Sequence, residues 1–309
     1  MYIEKRKSGN NLKYYLTHSY RKEGKTKKIR VYLGQNLSKK EIKEKKEKAR
    51  KTIQNQVEKL RTEVFDFILT KNQIEKINKL SDIKIRHLEK TDWKKFKEDF
   101  VYNTNAIEGS TIEQEEVNEL IEEKPKTEDP EELETLGVAK AIEYIKKTKE
   151  ELSIELIKKL HKICFDKSKS FAGKFRKKEV TIKSYKGEII HRGVPAENVG
   201  NFLEEIVNWY KENKDKFKPL VLAGLIHNQF EHIHPFKDGN GRVGRLLLNF
   251  ILLKNNYPPI NIYLKDRQEY YRCLKEYSDN HKVKSTIEFL IKQYKKTEKK
   301  ETTNSRKKK

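Results

Sequence analysis

The chain has 309 residues, with 70 Lys and Arg against 47 Asp and Glu, a net charge of +23. Hydrophobic residues are 35% and charged residues 38%, but 13 Phe and 15 Tyr supply the bulk of a core, which excludes wholesale disorder. The longest apolar run, 246–253, falls short of a membrane helix and contains Asn249; the first ten residues lack a signal-peptide stretch; and Cys164 and Cys273 have neither disulfide-scaffold nor metal-ligand spacing. These features lead to the expectation of a cytoplasmic protein without a membrane span.

Residues 1–36 read as a small basic β-meander. Three Tyr-, Ile- and Val-rich runs are separated by Ser8-Gly9-Asn10 and by Glu23-Gly24-Lys25, which is turn chemistry. Ser38 with Glu41 forms a capping box. Ile42, Ala49, Ile53, Val57, Leu60, Val64 and Ile68 then recur at helical spacing, predicting a long amphipathic helix ending near Thr70, with a connector to 91. This helix can dock on the rest of the chain or mediate a homodimer. Residues 1–60 hold 19 Lys and Arg against 6 Asp and Glu, so much of the basic excess sits here. Such a surface can meet nucleic acid, although a solvated Lys-rich face has the same composition.

Residues 92–294 read as helix after helix. A helical stretch from Phe96 to Ile107 breaks at Glu108-Gly109-Ser110, and Thr111 with Gln114 can cap the next. Helices at 131–148, 153–165, 196–213, 219–232, 240–254, 266–279 and 284–295 follow. Between them, Val180 to Ile182 and Gly187 to Ile190 predict a β-hairpin. Residues 295–309, with 8 Lys and Arg against 2 Glu, read as a basic disordered tail.

The segment His234-Pro-Phe-Lys-Asp238-Gly239-Asn240-Gly241-Arg242-Val-Gly-Arg245 concentrates the chemistry. It reads as a tight loop feeding a helix whose first turn begins in glycines. Gly239 and Gly241 permit φ > 0 and close backbone approach, and their N–H groups with the helix N-terminus make an anion site. Arg242 and Arg245 lie on neighbouring helical positions as phosphate ligands. Asp238 suits Mg²⁺ shared with phosphate oxygens, Asn240 can orient a phosphoryl oxygen, and His234 is a proton acceptor. Together they are the parts for transferring a phosphorus-centred group to a hydroxyl.

This segment resembles the signature of the Fic domain family of protein adenylyltransferases, H-x-F-x-[D/E]-G-N-G/K-R-x-x-R, at every fixed position from His234 to Arg245. AGLIHNQFEHIHPF, AGKFRKKEV and NNYPPINI are also similar to family sequence. The resemblance covers about residues 92–290 and implies a mainly α fold: a Fic-type helical core with a β-hairpin flap. It implies that His234 deprotonates a Ser, Thr or Tyr hydroxyl of a target protein. It also implies that Asp238 holds Mg²⁺ on ATP, that Asn240 orients the α-phosphate, and that Gly239, Gly241, Arg242 and Arg245 bind the triphosphate, with Phe236 anchoring the loop. Gly241, where the Doc group has Lys, favours AMP transfer over phosphorylation. Thr104-Asn-Ala-Ile-Glu108-Gly109 resembles the family's inhibitory motif [S/T]-x-x-x-E-[G/N], implying that the Glu108 carboxylate competes for Arg245.

Tyr270, Tyr271 and Tyr277 follow the site on one helix and can wall an adenine or pack in the core. His227, Glu231, His232 and His234 lack zinc spacing, and His227 reads as a polar contact beneath the site. Two other functions remain open on sequence: removal of AMP from a modified protein with Glu108 positioning water, and a nucleic-acid-binding regulator acting through the basic N-terminal sheet.

Overall fold

The computed structural model describes residues 1–22, 25–60, 71–83, 85, 91–183 and 189–307, and divides into two compact units, 1–67 and 68–309. In the first unit, β1 (Tyr2–Ser8), β2 (Asn11–Lys22) and β3 (Lys25–Gln35) form an antiparallel sheet in chain order. Ser8 pairs with Asn11 across a two-residue turn in which Gly9 has φ of 62°, a conformation glycine adopts without strain. The period-2 pattern puts Tyr14, Leu16, Ile29 and Leu33 on one face, where Ala49 and Ile53 of helix α1 (Lys39–Leu60) cover them. The capping box forms as read: the Ser38 N–H donates to Glu41 Oε2 at 2.8 Å and the Glu41 N–H to Ser38 Oγ at 3.3 Å. The expected extension of this helix through 61–70 lies outside the described residues.

The second unit holds helices α2 (Lys71–Leu80), α3 (Trp93–Ile107), α4 (Gln114–Glu123), α5 (Pro130–Lys147), α6 (Ile154–Phe165), α7 (Val199–Asn213), α8 (Pro219–Ile233), α9 (Asn240–Lys254), α10 (Arg267–Asn280) and α11 (Val283–Lys307). Strands β4 (Thr181–Lys183) and β5 (Ile189–Arg192) make the one hairpin among the described residues of this unit. Helices α8 and α9 are buried along nearly their whole lengths and pack on each other, which makes the loop between them the centre of the unit. Around them stand α3, α5 and α6 on the α9 side and α7, α10 and α11 on the α8 side. The mainly helical fold with a small N-terminal sheet and a hairpin is as expected.

Three local expectations change. Helix α4 is capped by Glu113 and Glu116, not Thr111 and Gln114, because Thr111 gives its N–H (2.9 Å) and hydroxyl (3.2 Å) to Glu131 of α5. Strand β5 runs to Arg192, two residues beyond the expected end. The disordered tail is instead a continuation of α11 to Lys307. Composition misleads there because Gln293, Tyr294 and Thr297 keep one face of the helix buried, and Thr297 Oγ1 accepts the Asn261 N–H at 3.1 Å.

Because Ile53 is fully buried between α1 and the sheet, Ile53→Ala is expected to destabilise the first unit by about 2–4 kcal/mol. Hydrogen exchange will show it as lost protection across β1–β3, with the amides of α8 and α9 unchanged.

Candidate active site

Helix α8 ends where His234 adopts the left-handed conformation, φ 53° and ψ 62°, with its N–H bonded to the Phe230 carbonyl at 3.0 Å. A non-glycine residue holds that geometry only where its surroundings over-determine it. Here the agent is Arg176, buried beside the loop. Its Nε donates to the His234 carbonyl (2.7 Å), Nη1 to Lys178 O (3.1 Å), and Nη2 to Ile233 O (3.2 Å) and Val194 O, while its own N–H donates to Pro235 O (3.0 Å). Arg176 thus ties the backbone on both sides of His234 to the segment that leads into the hairpin.

The loop floor is Phe236, fully buried and stacked on His161 with ring centroids 3.8 Å apart. His161 Nδ1 accepts the Gly173 N–H at 2.9 Å, so Nε2–H must donate to the Asp238 carbonyl at 3.0 Å. That arrangement needs a neutral ring, and burial lowers its pKa to about 4. Asn240, expected to face a phosphoryl oxygen, has its side chain occupied: Oδ1 accepts the Phe236 N–H (2.8 Å) and Nδ2 donates to the Phe236 carbonyl (2.9 Å). An amide four residues beyond a peptide group matches it donor for acceptor, so Asn240 closes the loop and offers an anion its backbone N–H.

Gly239 and Gly241, two of the three glycines of the motif, are required for different reasons. Gly239 has φ of 80°, and a Cβ there would stand 2.4 Å from the Phe165 ring. Gly241 is helical, contrary to the expectation of φ > 0. Its missing Cβ makes room instead for the Glu108 carboxylate, since a Cβ would lie 2.1 Å from Glu108 Oε1.

Glu108 arrives from α3. Gly109, at φ 100°, ends that helix in a Schellman motif: the Ser110 N–H reaches Asn105 O at 3.1 Å and the Gly109 N–H reaches Ala106 O at 3.1 Å. Thr104 and Glu108, one turn apart, therefore share a face. Arg245 on α9, 2% exposed, donates Nε to Thr104 Oγ1 (2.7 Å) and Nη2 to both Thr104 O (2.9 Å) and Glu108 Oε1 (2.7 Å). Burial alone would lower the Arg245 pKa, but Glu108 and its other neighbours outweigh burial and raise it. Glu108 sits at the negative end of its own helix, a poor place for a carboxylate without a cation.

A second network adjoins the first. Glu134 of α5 pairs with Arg242 and with Lys169 (2.7 Å); Lys169 also meets Asp238 Oδ2 at 2.8 Å; and Arg242 lies over the Phe165 ring at 4.4 Å. Burial pushes the Glu134 and Asp238 carboxyls up, but the cations beside them prevail and hold both below the ordinary range. Asp238 Oδ1 accepts the Gly239 N–H at 2.7 Å and the side chain is 52% exposed. Among the described residues no cluster of three His, Cys, Asp or Glu forms a metal cage. Asp238 therefore fits Mg²⁺ in one mode only, a single carboxylate shared with phosphate oxygens and water.

Beneath the arginine lie groups whose role the sequence left open. His227 Nε2 meets the Tyr270 hydroxyl at 2.9 Å, and Tyr270 is buried with Arg245 over its ring at 5.8 Å. Tyr277 is buried and donates to Gln229 Oε1 at 2.7 Å, which places it in the core. Tyr271 is partly exposed and donates to the Ile107 carbonyl at 3.1 Å, beside Glu108, so of the three tyrosines it borders the open side of the site. Glu231 packs against Gly244, and Glu231 Oε1 is buried without a hydrogen bond. Burial pushes its pKa up to about 8, against the opposing pull of Arg245.

Sequence reading missed Arg176, His161, Lys169 and Glu134. Arg176 carries a prior signal in lying within the family-like segment AGKFRKKEV, and Glu134 a weak one as a carboxylate on the inner face of a helix. Their partners lie far off along the chain, 108 residues in the case of Glu134 and Arg242.

Residues 151–252 match the Fic/DOC family. The chain is 29% identical over 199 residues to protein adenylyltransferase Fic of Nematostella vectensis, covering 62% of this chain and 45% of that one. It is 32% identical over 183 residues to protein adenylyltransferase Fic of Drosophila ananassae, covering 57% and 36%. The chain thus spans less than half the length of these curated relatives. Among solved structures, it resembles a Fic domain containing signaling protein from Bacteroides thetaiotaomicron, with TM-score 0.60, 25% identity, and 75% of this chain and 94% of that one covered. A Fic family protein from Desulfovibrio desulfuricans shares the fold at TM-score 0.62 and 22% identity, over 75% and 72% of the two chains.

The buried Glu231 makes a pH prediction. A carboxyl raised to about 8 from 4.5 favours folding while protonated, so its contribution is complete below pH 4.5 and is lost as pH rises through 8. Glu231→Gln, which stays neutral, is expected to melt like the parent at low pH and to be the more stable protein by about 1–3 kcal/mol under alkaline conditions, read from melting curves across pH.

Proposed function

From a chain that carries a Fic/DOC family domain at residues 151–252, we propose an auto-inhibited protein adenylyltransferase that moves AMP from ATP to a hydroxyl of a target protein and of itself. The observation that carries the reading is the Glu108 carboxylate against Gly241 and Arg245, an anion of the protein's own at the mouth of α9. A site that accepts a carboxylate there is built to receive phosphate.

In the active form, the first-turn N–H groups of α9 and the guanidinium of Arg245 bind the triphosphate, with Arg242 held in place by Glu134. Magnesium, bound by Asp238, would neutralise phosphate charge and orient the leaving group. Lys169, which meets Asp238 at 2.8 Å, would add a further positive charge beside the phosphates. His234 Nδ1 is closed off from solvent, which leaves Nε2 to face the acceptor. The acceptor oxygen gives its proton to that nitrogen and forms a bond to the α-phosphorus, the bond from phosphorus to the pyrophosphate oxygen breaks, and pyrophosphate leaves. Arg176 serves by fixing the left-handed backbone from which the imidazole projects.

Inhibition follows from competition. At about 4 Å and an effective dielectric near 20, a carboxylate–guanidinium pair has a Coulomb energy of about 4 kcal/mol, and a net preference of only about 1.4 kcal/mol lowers nucleotide affinity tenfold. Thr104 strengthens the pair by holding the same guanidinium at two further points.

Intact-mass spectrometry with Mg²⁺ and ATP tests the reading. Glu108→Gly is expected to raise self-modification at least about tenfold by freeing Arg245. The double variant with His234→Ala is expected to add no AMP. Unchanged incorporation in Glu108→Gly would overturn the inhibitory role, and transfer surviving His234→Ala would overturn the base.

A further inference from the structure

The core face of the N-terminal sheet is covered by α1, and its opposite face is composed quite differently. Strand register brings Tyr2, Glu4 and Arg6 of β1 opposite Thr17, Tyr15 and Lys13 of β2, and sets Tyr15 and Thr17 opposite Tyr32 and Arg30 of β3. With Lys28, the residues just named carry four cations, Arg6, Lys13, Lys28 and Arg30, and one carboxylate, Glu4. Tyr2 and Tyr32 are 45% and 51% exposed, large aromatic surfaces for a chain that has a covered face available.

The face is also ordered. Glu4 accepts Arg6 Nη2 at 2.7 Å and Arg30 Nε at 2.9 Å, so one carboxylate holds two arginines from the two edge strands, β1 and β3. The Arg30 contact is through Nε, which leaves its terminal nitrogens, the pair that reads guanine O6 and N7, outside it. Arg6 lies over the Tyr15 ring at 5.5 Å and Lys28 over the Tyr2 ring at 6.0 Å. Residues 1–60 as a whole carry 19 Lys and Arg against 6 Glu.

We propose that the outer face of the β1–β3 sheet is a duplex-DNA-binding surface, with the sheet entering the major groove and Arg30, Lys28 and Arg6 as its anchors. The groove, about 12 Å wide, admits a two-stranded ribbon, so strands about 4.8 Å apart let neighbouring strands of this sheet project their side chains into it. The deep, narrow major groove of duplex RNA does not admit such a face. Single strands are bound by open aromatic rings, and here two of the tyrosine rings are already covered by cations. Target proteins or the chain itself could thereby be modified close to DNA, but the surface owes nothing to the catalytic motif.

The test uses the full chain and a fluorescein-labelled duplex DNA of mixed sequence, with fluorescence anisotropy followed over a range of salt. Binding is expected to weaken with a log–log slope of about −0.9 per phosphate engaged. Lys28→Ala with Arg30→Ala is expected to lower affinity at least about tenfold and to flatten the slope by about 1–2. Lys43→Ala with Lys46→Ala, on exposed positions of α1, is expected to change it less than about twofold. Retained hydrogen-exchange protection across β1–β3 establishes that both variants keep the sheet folded, and His234→Ala is expected to bind DNA like the parent, so failure here is separable from failure of the catalytic reading. Equal losses in the two lysine-bearing variants would reduce the binding to diffuse charge and overturn the proposal. So would tighter binding of the corresponding single strand or RNA duplex, or an absence of DNA binding with self-association abolished by Lys28→Ala and Arg30→Ala.

Discussion

A buried guanidinium needs an anion, and in this protein the requirement organises the site. Arg245 lies in the interior of α9, where hydration is withdrawn and an uncompensated charge is costly. Three acceptors from one turn of α3 answer it: the Thr104 hydroxyl, the Thr104 carbonyl and the Glu108 carboxylate. The same carboxylate is a poor resident of its own helix end and fills the space that Gly241 leaves open. Nothing in this arrangement is specific to Glu108 as a chemical group; any well-placed anion satisfies Arg245. On the function proposed above, a phosphate would take the place of that carboxylate.

The loop that carries His234 is held mainly by its backbone. Arg176 grips carbonyls before, at and beside His234, His161 takes the Asp238 carbonyl, and Asn240 closes the turn on Phe236. These contacts hold a left-handed residue at the end of a buried helix. They also divide the motif into two kinds of residue. Phe236, Gly239 and Asn240 shape the loop, whereas His234, Asp238, Arg242 and Arg245 present chemistry from it. Lys169 meets Asp238, Glu134 meets Arg242 and Glu108 meets Arg245, and Lys237 lies over the Phe171 ring, so each charged group of the motif has a protein partner in the structure. On the proposed function, a nucleotide would exchange these pairs for its own phosphates.

The first unit follows a different logic. Its sheet is stabilised by one covered face and a small core around Leu16 and Ile53, and its other face is free of that duty. On that face, side chains meet across strands as charge pairs and cation–aromatic contacts, an arrangement that adds little to folding and keeps hydrogen-bond donors exposed.

Short-range order was legible in the sequence. The hairpin turn at Gly9, the capping box of Ser38 and Glu41, Pro219 at the head of α8, and the break at Glu108-Gly109 are all decided by residues within a few positions of one another. The Fic-type signature was legible for the same reason, as one loop and one helix turn. What stayed hidden were contacts between distant segments. No spacing along the chain relates Arg176 to the His234 carbonyl, Lys169 to Asp238 or Glu134 to Arg242, and composition alone misjudged α11, whose buried stripe has meaning only against Asn261 and its neighbours. Local propensity is written residue by residue, whereas burial and charge pairing are properties of surfaces that come into existence only when the helices pack.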